Sequence, residues 1–146
     1  MYRYIRRNPP TEIAEFSAGF SLLRRILSPD FSEYCWNWVC IDLVTRQPIG
    51  TVEVSHIRET NETYLVYTVF SPHWRRGFAK EACSEVIDFL FSEKNVTKVI
   101  VEMDVRNAAS IALAESLGGK KISFHEKAQL IRGEWSDQYR YEILKR

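Results

Sequence analysis

The chain has 146 residues, 45% apolar and 27% charged, with 20 basic side chains against 19 acidic ones. That length suits a single domain spanning 1–146 around one core. The near-neutral balance argues against a broad nucleic-acid-binding face, which shows as a basic excess, and no apolar run approaches the roughly 20 residues that span a bilayer.

The N-terminal "MYRYIRRNPP" has no apolar signal core, so the chain reads as cytoplasmic. Thr11, with Glu12 and Glu15 behind it, has the make-up of a helix start. Ile13, Phe16, Phe20, Leu23 and Leu27 then recur at helical spacing, up to Ser28-Pro29. "YCWNWVCIDLV" (34–44) reads as a strand of aromatic and β-branched residues, followed by a turn at "TRQPIG". "TVEVSHI" (51–57) alternates, and "TYLVYTVF" (63–70) is nearly apolar throughout and so expected to be central. Cys35, Cys40 and Cys83 match no zinc spacing and read as small buried hydrophobes; no metal is expected.

"SPHWRRGFAKEA" (71–82) comes next and opens the strongest amphipathic helix, marked by Ala79, Ala82, Cys83, Val86, Ile87, Leu90 and Phe91. A helix N-terminus carries unpartnered N–H groups and partial positive charge. Gly77 permits close backbone approach, Ala79 stays out of the way, and Arg75, Arg76 and Lys80 add charge. Such a junction suits a phosphate, although a glycine there is also an ordinary turn and exposed arginines an ordinary solvated face. "TKVIVEMDV" (97–105) is a further strand, "NAASIALAESLGG" (107–119) a short helix, and two strands over roughly 121–131 and 137–145 surround "RGEWSD". The order α, β-β-β, α, β, α, β-β places one β-α-β crossover between antiparallel hairpins, and adjacent strand ends in such a unit are where ligands bind.

These residues carry a family resemblance. "WRRGFA" is similar to the pyrophosphate loop [Q/R]-x-x-G-x-[G/A] of the GNAT N-acetyltransferases, with Trp74 in the first position. "SPHWRRGFAKEA", the Asn-x-x-Ser start of "NAASIALAESLGG" and "RGEWSDQYRYEIL" most resemble the RimJ/RimL-like branch that acetylates ribosomal-protein N-termini. The resemblance covers about three quarters of the chain. It implies an α/β fold with a mostly antiparallel sheet, one splayed parallel pair (63–70 and 97–105) and helices on both faces. It also implies acetyl-CoA as cosubstrate and an amine acceptor, a protein N-terminus or a small amine.

By that resemblance the pantetheine arm pairs with backbone near Val69 and Phe70. The pyrophosphate lies on N–H groups from Arg75, Arg76, Gly77, Phe78, Ala79 and Lys80, and Asn107 reaches the arm, with helix capping as its alternative. A general base is needed to take the amine's proton. Glu102 is the first candidate and Glu53 the second, each equally readable as a solvated carboxylate. The tyrosine acid of many relatives is replaced by Ala114, which leaves Ser110 as donor or proton relay. Gly119 stands where relatives carry phenylalanine, and Trp135 is expected in a hairpin loop overhanging the acceptor. His56 and His125 fit no family position. Relatives begin with a further strand and helix, ~20–30 residues at typical element sizes. The first strand is therefore expected to be missing and the edge of 36–44 exposed, met by a homodimer or an N-terminal cover. The competing class is a non-catalytic CoA-binding module used in protein interaction.

Overall fold

The computed structural model describes residues 32–145. The helix expected from Thr11 to Leu27 lies outside that range. The elements are β1 (Glu33–Ile41), β2 (Pro48–Ile57), β3 (Glu62–Val69), α1 (Phe78–Glu93), β4 (Lys98–Asp104), α2 (Ala108–Ser116), β5 (Lys120–Ile131) and β6 (Glu134–Leu144). They form a six-stranded sheet in the order β1-β2-β3-β4-β6-β5. Every neighbouring pair is antiparallel except β3 and β4, which the crossover through α1 makes parallel. The near-continuous apolar strand is third of six, as its composition predicts.

Alternation decides which residues meet the helices. Val52 and Val54 of β2, Leu65 of β3, Val99, Val101 and Met103 of β4, and Tyr141 and Ile143 of β6 share one face. Against them pack Cys83, Val86, Ile87 and Leu90 of α1 and Ala114 of α2. Burying each large aliphatic side chain in this layer contributes about 1.5–3 kcal/mol. Both described helices therefore cover the same face. The other face carries the intervening residues, Tyr64 and Glu102 among them.

Two expected boundaries move. Strand 34–44 stops at Ile41, because Asp42 turns the chain: its Oδ1 accepts the N–H groups of Val44 (2.8 Å) and Thr45 (3.0 Å). Leu43 and Val44, apolar in sequence, are 80% and 91% exposed there. The last hairpin turns on Arg132 and Gly133 alone (φ 53° and 81°), a two-residue turn whose handedness fits the strand twist. Trp135, expected in a loop, is consequently a β6 residue opposite Leu130, although 58% exposed.

The parallel pair positions the site. β3 and β4 share a single register pair, Tyr64 with Ile100. Beyond it the strands run on to Val69 and Asp104 without pairing to each other, so the sheet splits toward their C-terminal ends.

Candidate active site

The loop after β3 is shaped by backbone conformation. Ser71–His73 form one 3-10 turn, and Gly77 is the N-cap of α1 with φ 83°. A Cβ there would meet no atom within 4 Å, so the left-handed dihedral, rather than crowding, demands glycine. Arg75 also has positive φ (59°), a conformation an arginine adopts at a cost. No side chain caps α1. The N–H groups at its start, from Phe78 to Lys80, face outward with Arg75, Arg76 and Lys80 exposed beside them. The Arg76 guanidinium lies 5.0 Å above the Phe78 ring, which holds it near the helix start.

Within the split, the two residues expected to pair with the pantetheine arm differ. Phe70 is already engaged: its N–H donates to the Ile49 carbonyl (2.8 Å) and its carbonyl accepts from His73 (2.9 Å). Both backbone groups of Phe70 are thus engaged, by β2 and by the turn, although its carbonyl keeps a second lone pair. Strand alternation then turns the backbone of Val69, and of Tyr67 before it, toward the split. The Val69 carbonyl accepts a bond from the Trp74 indole Nε1 (2.7 Å), so the loop's first motif position folds back onto the strand end. A carbonyl has a second lone pair, which leaves Val69 able to accept again.

The other wall is the β4–α2 turn. Asp104, 3% exposed, accepts from the Arg106 backbone N–H (2.8 Å), Nε (2.8 Å) and Nη2 (2.6 Å), and from Ser136 Oγ (2.7 Å). The Arg106 bonds hold its carboxyl at about 2 against the opposing effect of burial, with Ser136 helping. This clamp fixes where α2 begins. Asn107 caps it, its Oδ1 accepting from the Ser110 N–H (3.2 Å), so the capping alternative holds for that oxygen. Ala114 is 2% exposed and packs in the core, so α2 presents no tyrosine at that position. A Cβ on Gly119 would lie 2.7 Å from the Ala114 carbonyl oxygen, and close passage of the chain explains the missing phenylalanine.

Tyr67 went unnoticed in the sequence. It points to the helix side, between β3 and the two helices, and its hydroxyl is sheltered from solvent with no hydrogen bond to a described residue. Burial pushes its pKa up to about 12, and the Ser110 hydroxyl beside it pulls the other way. A lone tyrosine in an apolar strand looks like packing; only the fold brings Ser110 against it.

Glu102 faces the opposite side, where side chains distant in sequence converge. The Arg140 guanidinium donates to Glu62 and to the Tyr64 hydroxyl (2.9 Å), and Tyr64 donates to Glu62 (3.0 Å). Arg140 Nε is buried without a hydrogen bond, 4.0 Å from Glu102 Oε1. Burial raises the Glu62 carboxyl, but the bonds from Tyr64 and Arg140 outweigh it and leave a net lowering. Glu53 faces the same side from β2, opposite Val66. An open, polar cavity of about 680 Å³ runs alongside, lined by Glu102, Phe124, His125, Glu126, Ala128, Gln129 and Gln138. A bulge makes room for it: the β5 register jumps between His125 and Gln129, with Lys127 at φ 47° and its N–H on Asp137 Oδ1 (2.8 Å). His56 stays apart, its Nδ1 2.9 Å from Thr63 Oγ1.

With this geometry in place, comparison with known proteins is direct. Residues 1–120 match the family model described as an acetyltransferase (GNAT) domain. The N-acetyltransferase p20 of Bacillus licheniformis is 30% identical over 103 residues, 70% of this chain and 58% of that protein. The N-acetyltransferase YnaD of Bacillus subtilis is 30% identical over 83 residues, 56% of this chain and 49% of that protein. The chain thus spans about half to three-fifths of the length of these curated relatives. Among solved structures, the spermidine N-acetyltransferase of Vibrio cholerae in complex with CoA and spermine superposes with TM-score 0.77 at 22% identity, covering 94% of this chain and 78% of that one. The ribosomal-protein-S5-alanine acetyltransferase of Vibrio fischeri gives TM-score 0.74 at 20% identity, covering 94% and 77%. At such identities these superpositions speak for the fold.

Proposed function

We propose an activity for this chain from one established premise: it belongs to the GNAT family of acetyltransferases. The activity is transfer of the acetyl group of acetyl-CoA to a primary amine, by direct attack while both are bound. The observation that carries it is the coincidence of an uncapped α1 start, with Gly77 at φ 83°, and the split between β3 and β4.

The described residues fit the carrier. The N–H groups from Phe78 to Lys80 would take its diphosphate, with charge from Arg75, Arg76 and Lys80. Tyr67 and Val69 would pair its arm in the manner of an added strand, and the Asn107 amide nitrogen, on the opposite wall, would donate to it. When bound, the carrier supplies an acetyl group activated as a thioester. Glu102 lines the far-face cavity, within reach of an amine held there, and would take the amine's proton. Arg140 Nε, 4.0 Å from Glu102 Oε1, would hold that carboxylate in position. Glu126 and Glu102 on the same cavity favour an acceptor with positive charge, a class that includes the spermine held by the Vibrio cholerae neighbour and a protein N-terminus.

Among the described residues no helix is long and apolar enough to cross a membrane. Cys35, Cys40 and Cys83 are free thiols. We place the protein in the cytoplasm on that account. A homodimer through β1 also belongs to the proposal, because β1 ends the described sheet with Val39 46% and Ile41 45% exposed. Sedimentation at micromolar concentration should show the dimer mass; a monomer mass ends that part.

The decisive assay pairs thermal shift with thiol release. Acetyl-CoA should raise Tm in a concentration-dependent manner, and a panel of polyamines and N-terminal peptides should release free CoA. A Tm rise with no thiol release from any amine would favour the non-catalytic CoA-binding module. No rise at all would remove the carrier.

A further inference from the structure

Among the described residues, the large apolar side chains most open to water are Leu43 (80%) and Val44 (91%), at the tip of the β1–β2 turn. The turn is pinned. The Asp42 carboxylate accepts the N–H groups of Val44 and Thr45, its carbonyl accepts from the Arg46 N–H (2.7 Å), and its N–H donates to the Gln47 carbonyl (2.9 Å). An aliphatic pair fixed in water is stabilised by whatever covers it. The turn also stands at the carrier end of the sheet. Cys40 of β1 lies opposite Gly50 of β2, and Gly50 opposite Val69 of β3, so the ends of β1 and β3 are two strand spacings apart, about 10 Å. The Asp42 carboxyl is lowered chiefly by the N–H groups of Thr45 and Val44, but also by Arg76 and His73, which act on it across the gap between turn and α1 loop.

The carrier has two ends. With its diphosphate at the start of α1 and its arm in the split, the adenosine 3′-phosphate end lies outside the split, and two rims offer it a seat. On the β4–α2 rim the arginine, Arg106, is already held by Asp104 (2.8 and 2.6 Å). On the β1–β2 rim Arg46, Arg75 and Arg76 are all exposed, and the Asp42 carboxylate among them is engaged by backbone N–H groups. A phosphate favours the second rim. Adenine is flat, with two apolar faces, and aliphatic side chains cover such a face well. We propose that Leu43 and Val44 seat the adenine ring of acetyl-CoA, with Arg46 beside its ribose 3′-phosphate. This inference rests on the acetyl-transfer reading above, for its carrier alone. Adenine is the end of the carrier remote from the thioester, so the turn holds substrate and transition state equally. Its loss raises KM for acetyl-CoA and leaves kcat.

The test titrates CoA, dephospho-CoA and 4′-phosphopantetheine by calorimetry into the wild type, the double variant Leu43→Ser with Val44→Ser, and Arg46→Ala. The double variant should bind CoA about tenfold more weakly. It should bind phosphopantetheine, which has no nucleoside, as the wild type does. Arg46→Ala should weaken CoA about 3- to 10-fold and leave dephospho-CoA, which lacks the 3′-phosphate, unchanged. The ligand-free Tm should hold, since these exposed substitutions keep the backbone bonds of the turn. Nuclear Overhauser contacts from the Leu43 and Val44 methyl groups to the adenine ring protons of bound CoA give the direct reading. Their absence at saturation, or unchanged CoA affinity in the double variant, overturns the inference, while CoA binding and thiol release by the wild type keep the acetyltransferase reading intact. Equal losses for CoA and phosphopantetheine also overturn it, because the turn would then act through the shape of the α1 loop. Failure of CoA to bind the wild type overturns both.

Discussion

The two faces of the β3–β4 split are built on different principles. On the helix side the features of the proposed carrier site are mostly backbone: Gly77 at φ 83°, the first turn of α1, and the strand ends that stop pairing after Tyr64 and Ile100. On the far side they are side chains, with Arg140 tying Glu62 to the neighbourhood of Glu102 across 78 residues of sequence. A site made of backbone tolerates many side chains but few dihedrals. One made of paired charges tolerates little change in charge, yet its geometry can be retuned for a new acceptor. On the proposed reading the shared carrier lies on the first kind of surface and the variable amine on the second.

Substitutions can break this contrast directly, and the largest effect is expected on the backbone side. Gly77→Glu forces an L-residue into a left-handed dihedral and puts a negative charge before the helix start, so acetyl-CoA affinity should fall at least ~100-fold. Calorimetric titration reads this, and undiminished affinity would show that the loop holds no diphosphate. Next is Glu102→Gln, which should lower kcat about 100-fold, the lower end of the range for a general base. Acetyl-CoA binding should be nearly unchanged, and an unaltered rate in steady-state assays would take Glu102 out of the chemistry.

The smallest effect concerns stability. The Asp104 carboxyl titrates near 3.8 when unfolded and about 2 when folded. A lowered folded pKa contributes stability that is complete above the unfolded value and is lost as pH falls through the folded one, here between about 4 and 2. Its share at neutral pH is about 2 kcal/mol. Urea midpoints measured against pH should show that loss in the wild type and a flatter acid limb in Asp104→Asn. Parallel curves would mean that the clamp on α2 is not electrostatic.

The same contrast explains what the sequence disclosed. The α1 loop was legible because glycine, small and basic residues at a strand-to-helix junction leave a local signature. The chain order of strands and helices followed from periodicity, the splayed parallel pair came with the family resemblance, and the Asn107 cap was one of two readings left open. The engagement of Phe70 was not legible, for want of a long-range fact: its N–H belongs to Ile49, across a strand pair that local pattern does not register. Trp135 was placed in a loop because "RGEWSD" is polar enough to turn, whereas two left-handed residues complete the turn by themselves. Arg140 and Glu62 look like surface charges until β4 and β6 pair. Tyr67 was invisible because only the fold brings Ser110 of α2 against it.

A crystal structure of the chain with acetyl-CoA tests the central claim most directly. The account requires the diphosphate on the N–H groups at the start of α1 and the arm between β3 and β4, alongside Tyr67. Density for the carrier elsewhere, or an empty split at saturating acetyl-CoA, would contradict it.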